Sequence, residues 1–188
     1  VMEYTPGVIV GGRGLPEGFA DTPASRRAMS LTLVDTLVAL HAIDPESVGL
    51  ATFGRPDGYV ERQVRRWSQQ WERSSTGPLP GIDELIRRLR AALPESPAPA
   101  IVHGDYRLGN IALDPSDASR VVAVFAWEMA TLGDPLADLG YTLIYWADPG
   151  EKVEALRGIE SGPGMLTRAE IVTEYAKRSG RDVSAVDF

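Results

Sequence analysis

Two short apolar runs in this 188-residue chain each end in a cluster of polar side chains, and that pairing restricts the fold more than any other feature. Ile101-Val102 leads into His103-Gly104-Asp105-Tyr106-Arg107-Leu108-Gly109-Asn110, and Val121 to Phe125 leads into Ala126-Trp127-Glu128. Unbroken apolar runs of this kind read as buried strands. Asn110 to Leu113 reads as a strand, Asp114-Pro115-Ser116-Asp117 as a turn and Val121 to Phe125 as the return strand of a hairpin. Two buried strand ends lying side by side can aim several oxygen groups at one point. Hard oxygen ligands beside a base for an attacking hydroxyl are what a Mg²⁺–phosphate site needs.

Most of the remaining chain has helical periodicity. Thr22-Pro23 opens a helix, with Thr as cap and Pro at the first helical position, and Met29, Leu33, Leu37 and Leu40 give it a buried face. A second helix is expected over 60–73, with Val64, Trp67 and Trp71 packed in the core and Arg65, Arg66 and Arg73 on a solvated face. Ile82, Leu85, Ile86, Leu89 and Leu93 mark a third amphipathic helix, closed by the proline-rich loop from Pro94 to Ala100. Asp134-Pro135 caps and starts a fourth, whose Leu139, Leu143 and Trp146 can face the core. Thr167-x-x-Glu170 is a capping box for a last helix, with Ile171, Val172 and Tyr175 on its apolar side. The stretch from Val8 to Gly18 reads as a loop. Gly12-Arg13-Gly14 is not a nucleotide loop, because Glu17 occupies the third glycine position and no Lys-Ser/Thr follows.

Composition narrows the chemistry. The absence of cysteine removes disulfides, thiolate zinc sites and thiol nucleophiles, and only His41 and His103 could supply imidazole. With 19 Lys+Arg against 26 Asp+Glu the net charge is −7, which argues against nucleic acid as a partner. No apolar run approaches a bilayer span and no signal peptide is visible, so a cytoplasmic protein with no membrane partner is expected. The opening Val1-Met2-Glu3-Tyr4 alternates like a strand with nothing before it to pair with, and Val186-Asp187-Phe188 stops in mid-pattern. Both ends suggest a piece of a longer chain; a processed but complete small protein is the alternative.

The order H-G-D-x-x-x-x-N, then W-E and G-D-P-x-x-D-L, resembles the aminoglycoside phosphotransferase and choline kinase superfamily, which shares the protein-kinase-like fold. The stretch from Trp127 to Leu139 is most similar to the branch associated with acyl-CoA dehydrogenases. The resemblance implies an α+β fold: the mainly helical C-terminal lobe of a kinase-like protein, with a small β-hairpin at the catalytic loop and the N-terminal lobe absent. Residues 1–7 would be the inter-lobe hinge and 8–188 the helical lobe, with the catalytic loop at 103–110 and the metal-loop region at 126–138. The missing lobe would come from the same longer chain. The implied activity is transfer of the γ-phosphate of ATP, with Mg²⁺, to a hydroxyl of a small molecule, either a hydroxyacyl compound or an aminoglycoside-like one. Carried over by position, Asp105 resembles the catalytic base and Asn110 an amide ligand to Mg²⁺. Glu128 and Asp105 itself are further candidate metal oxygens. Asp138 resembles the helix carboxylate that holds the catalytic loop, His103 scaffolds that loop, and the backbone at Glu3 and Tyr4 would meet adenine. Asp134 caps its helix rather than binding metal.

Two departures bear on activity. The family's metal-chelating Asp is replaced by Ala126, whose methyl cannot coordinate a cation. The family's phosphate-pairing Lys and glycine-rich cover do not precede Val1, and the chain's only lysines are Lys152 and Lys177. Impaired transfer and weak ATP binding by this stretch alone are therefore expected. The alternative is a catalytically inactive, pseudokinase-like module that binds nucleotide or a partner.

Overall fold

Local chemistry sets the helix boundaries in the computed structural model, which describes residues 4–11, 14–148, 151 and 162–187. The readings made on Val1, Met2, Glu3, Gly12, Arg13, Lys152 and Phe188 lie outside these residues. Helix α1 (Pro23–His41) begins at a capping box in which Thr22 and Ser25 satisfy each other's backbone N–H groups. Met29, Leu33 and Leu37 are buried along it, whereas Leu40 is half-buried. Helices α2 (Tyr59–Ser74) and α3 (Ile82–Ala91) follow. Four strands come next: β1 (Ala100–Val102), β2 (Ile111–Asp114), β3 (Asp117–Val124) and β4 (Thr131–Gly133). Helix α4 (Pro135–Ile144) starts at Asp134, whose carboxylate accepts from the N–H of Leu136. Helix α5 (Arg168–Ser179) starts at the Thr167–Glu170 capping box and ends on Gly180 in the left-handed region.

The strands form two antiparallel two-stranded sheets, β1–β4 and β2–β3. The β2–β3 hairpin is the one expected. Strand β4 was not legible, because three residues ending in glycine carry too little pattern. The two apolar runs therefore lie in different sheets, not side by side in one. They are joined after the strands end, by side chains described below.

The core lies where α1, α5 and the hairpin meet. Met29, Leu33 and Leu37 of α1 pack with Tyr106, Leu113, Leu139, Ile171 and Tyr175. Each large side chain fully withdrawn from water contributes about 1.5–3 kcal/mol. Trp146 is also buried, its indole N–H donating to the Leu166 carbonyl. The return strand is only half-buried from Val121 to Phe125, because one face of the hairpin is covered merely in part. Gly7 lies against Ala112 and Val122, and Val8 exchanges two backbone hydrogen bonds with Leu113. Tyr4 to Gly7 form no strand and pair with none; Tyr4 is exposed.

Two expectations for the core fail. Trp67 is 53% exposed rather than packed inside, and no residue of α3 is buried: Leu85 is exposed, and Leu93 lies beyond the end of the helix and is exposed too. Helix α3 packs against α2 and not against the main core, so helical spacing correctly identifies an apolar face but not what that face meets.

Candidate active site

Strand β1 delivers the polar loop 103–110 to the N-terminus of α4. The N–H of His103 donates to Asp138 Oδ2 at 2.6 Å and the N–H of Gly104 donates to Asp138 Oδ1 at 2.7 Å. Asp138 sits in the first turn of α4 and is buried. Its Oδ2 also lies 3.3 Å from His41 Nε2, and His41 Nδ1 lies 2.8 Å from the Tyr175 hydroxyl. One carboxylate thus ties the loop to α1 and α5. Hydrogen bonds to a buried charge are stronger than neutral ones, and this group has several.

Both ring nitrogens of His103 are occupied. Nδ1 accepts from the N–H of Asp105 at 3.2 Å, so the proton resides on Nε2, which donates to the Phe125 carbonyl at 2.7 Å. The ring is fully buried and also packs against Trp127, centroids 4.7 Å apart. This imidazole joins the end of β1 to the end of β3, and the N–H of Phe125 donating to the Asn110 carbonyl at 2.8 Å makes a second tie.

Asp105 is partly exposed and held from two sides. Asn110 Nδ2 donates to Asp105 Oδ2 at 2.6 Å and to its carbonyl at 2.7 Å, while Arg107 Nε donates to Oδ1 at 3.1 Å. The Arg107 guanidinium lies 5.0 Å over the Tyr145 ring. Gly109 leaves it room, since a Cβ there would sit 2.6 Å from an Arg107 nitrogen. The Tyr141 hydroxyl, 3.2 Å from that of Tyr145, faces Asp105 as well. Burial, the Tyr145 hydroxyl and the Asp105 carboxylate together push the Tyr141 phenol well above its usual range.

Residues 126–129 are built differently. Ala126 has φ 64° and ψ 50°, a left-handed conformation that costs a residue with a Cβ about 1–2 kcal/mol. Glu128 and Met129 are exposed. Gly104 allows this segment to approach the 103–110 loop: at φ 86°, its Cβ would lie 2.7 Å from the Met129 carbonyl oxygen. The side-chain oxygens that these two stretches could offer a divalent cation are those of Asn110, Glu128 and Asp105; the side chain of Ala126 has none. Among the described residues no group of three or more His, Asp or Glu could hold a metal. The set fits Mg²⁺ in kind, being oxygen only, provided that phosphate oxygens complete the shell.

The structure thus brings His103, Asp105, Asn110 and Asp138 into one hydrogen-bonded unit; Ala126 follows Phe125, whose carbonyl that unit bonds, and Glu128 is exposed. Tyr4 is not part of that unit, and Glu3 lies outside the described residues. Sequence reasoning missed His41, Arg107 and Tyr141. Tyr141 carried a usable signal, three residues after Asp138 on the same helix face. His41 carried none, because its partners lie 97 and 134 residues away.

Comparison with known proteins bears on this constellation. The model of the Phosphotransferase enzyme family matches residues 1–171. Acyl-CoA dehydrogenase family member 11 of Rattus norvegicus is 36% identical over 185 residues, which is 97% of this chain and 23% of the relative. A Ralstonia eutropha protein provisionally described as an aminoglycoside phosphotransferase superposes with TM-score 0.84 at 34% identity, over 97% of this chain and 55% of that one. The GDP and kanamycin complex of APH(2″)-IIIa shares the fold, with TM-score 0.60 at 16% identity over 97% of this chain and 55% of the other. The chain spans less than a quarter of the rat relative and about half of each of these two structures.

Proposed function

The chain belongs to the phosphotransferase enzyme family, which has a kinase-like fold, and on that premise we propose that it is the large lobe of a small-molecule kinase. The whole protein would transfer the γ-phosphate of ATP to a hydroxyl group. The observation that carries this reading is the junction at His103, whose ring ties the loop bearing Asp105 and Asn110 to the segment 125–128.

Asp105 is the catalytic residue of the proposal. It is partly exposed, and its two oxygens are oriented by Asn110 and Arg107, so it is placed to accept the proton of an attacking hydroxyl. Phosphoryl transfer depends mostly on positioning and charge neutralisation, so orientation matters more than basicity. Asp138, His103 and His41 are positioning residues: they act by holding the loop in place. Asn110 and Glu128 would hold Mg²⁺, which when bound would neutralise charge on the transferring phosphoryl group. The backbone at Glu3 and Tyr4 is the proposed hinge that meets adenine.

Ala126 weakens this arrangement. Loss of one preorganised electrostatic group typically costs about 2.7–4 kcal/mol in rate. The same methyl group favours a second reading, an inactive module that binds nucleotide without turnover.

A direct test uses the complete natural protein that carries this sequence, Mg·ATP and a panel of hydroxylated acyl compounds and aminoglycosides. The kinase reading expects one acceptor to gain a phosphoryl group by mass, and Asp105→Asn to abolish the gain. Nucleotide binding with no phosphorylated product from any acceptor supports the second reading.

A further inference from the structure

One face of α2 forms the wall of a cleft of about 620 Å³. Tyr59, Arg62, Gln63, Arg66 and Trp67 lie at i, i+3, i+4, i+7 and i+8, the spacing of a single helical stripe. Gly104, Glu128 and Tyr141 line the other side, and Arg55 also lines the cleft. Three arginines therefore line one cleft in a chain whose net charge is −7.

Among the described residues that local charge is offset only in part. Arg62 donates to the main-chain carbonyls of Arg55 and Asp57, which fixes the loop before α2 without neutralising the cation. Among the described residues none of Arg55, Arg62 and Arg66 forms an ion pair with a carboxylate. Two carboxylates line the cleft as well, Glu128 and Asp138, the latter holding the loop N–H groups and His41, so the lining carries three arginines against two carboxylates. Arg66 lies 5.7 Å over the Trp67 ring. That ring, 53% exposed, presents a flat apolar platform beside the cations. Tyr141 connects this wall to the site, since it lines the cleft and its hydroxyl faces Asp105.

We propose that the cleft is the acceptor subsite, in which Arg55, Arg62, Arg66 and Trp67 select an acceptor that carries a carboxylate or phosphate group besides its hydroxyl. The word acceptor rests on the phosphotransferase reading; the anion selectivity does not. A polycationic acceptor is repelled by the same three groups. The triphosphate of a nucleotide has the same anionic chemistry, so the test separates the two sources.

The probes are three compounds on one frame: para-(hydroxymethyl)benzoate, neutral para-xylylene glycol and cationic para-(aminomethyl)benzyl alcohol. Their affinities are measured by calorimetry on the complete natural protein, first without nucleotide and then with a saturating non-hydrolysable ATP analogue and Mg²⁺. Charge-assisted hydrogen bonds lead us to expect the benzoate to bind about tenfold more tightly than the glycol, and the cation most weakly. Arg66→Gln, an exposed position on the helix, should remove most of that preference, and Arg66→Lys should restore part of it. Equal affinities, preference for the cation, no binding at millimolar concentration, or a preference unchanged by Arg66→Gln would each overturn the proposal. Expulsion of the benzoate by the ATP analogue would assign the arginines to the triphosphate and overturn the acceptor subsite; simultaneous binding supports it. An anion-selective cleft in a protein that never transfers phosphate would sink the kinase reading alone. Transfer to acceptors without regard to charge would sink this inference alone.

Discussion

In the loop 103–110, two backbone N–H groups, a buried imidazole and the Asp105 carboxylate each have a defined partner within the protein. In residues 126–129, Ala126 is held in the left-handed region, Glu128 and Met129 face solvent, and no side chain caps the turn. The first segment is preorganised at the expense of several buried polar groups that must all be satisfied. The second holds a methyl group at its centre in a left-handed turn. Asp and Asn tolerate the left-handed conformation better than Ala, because their short side chains hydrogen-bond locally. The comparison teaches that the geometry at position 126 suits a carboxylate better than the residue that occupies it.

The largest expected effect contrasts one carboxylate from each segment. Asp138→Ala leaves the N–H groups of His103 and Gly104 unpaired and strips His41 of its acceptor, so thermal or urea unfolding should show a loss of about 3–5 kcal/mol. Glu128→Ala should change stability by less than about 0.5 kcal/mol, because that side chain is exposed and bonds nothing structural. Equal losses would erase the distinction between the two segments.

A smaller effect isolates backbone strain at the second segment. Ala126→Gly removes about 1–2 kcal/mol of left-handed strain against about 0.5–1 kcal/mol of added chain entropy, for a net gain of about 1 kcal/mol in urea unfolding. A loss would mean that the methyl group packs productively.

The smallest effect depends on pH and concerns Asp134, which caps α4. Burial pushes its carboxyl above the ordinary range, partly offset by the Leu136 N–H. Below the usual carboxylate pKa both folded and unfolded states hold the proton and its contribution is full. As pH rises, the unfolded chain ionises first and stability falls until the folded group ionises too. Asp134→Asn keeps the cap but cannot ionise, so its stability relative to the unsubstituted protein should improve from acid to neutral pH. A pH-independent difference in melting temperature would contradict that sign.

Much of this fold was legible because its signals are local. Thr22, Asp134 and Thr167 sit at helix starts, where their oxygens satisfy N–H groups two or three residues on. The hairpin was readable from its turn residues, and the polar clusters from their place after apolar runs. What failed was long-range. Val64, Trp67 and Trp71 do share a helical face, but periodicity cannot say whether a face meets a core or a cleft, and Trp67 meets the cleft. The tie between β1 and β3 runs through the His103 ring and not a strand ladder, so no strand pattern could announce it. The network from Asp138 through His41 to Tyr175 joins residues whose separation in sequence hides them from one another.

The most direct measurement places a carboxylate at the turn. In the complete natural protein, Ala126→Asp should raise Mg²⁺-dependent ATP consumption by at least about tenfold, since it adds an electrostatic group at a left-handed position that Asp tolerates better than Ala. If the substituted protein consumes ATP no faster than the original, the two segments do not share a metal–phosphate site and the account fails.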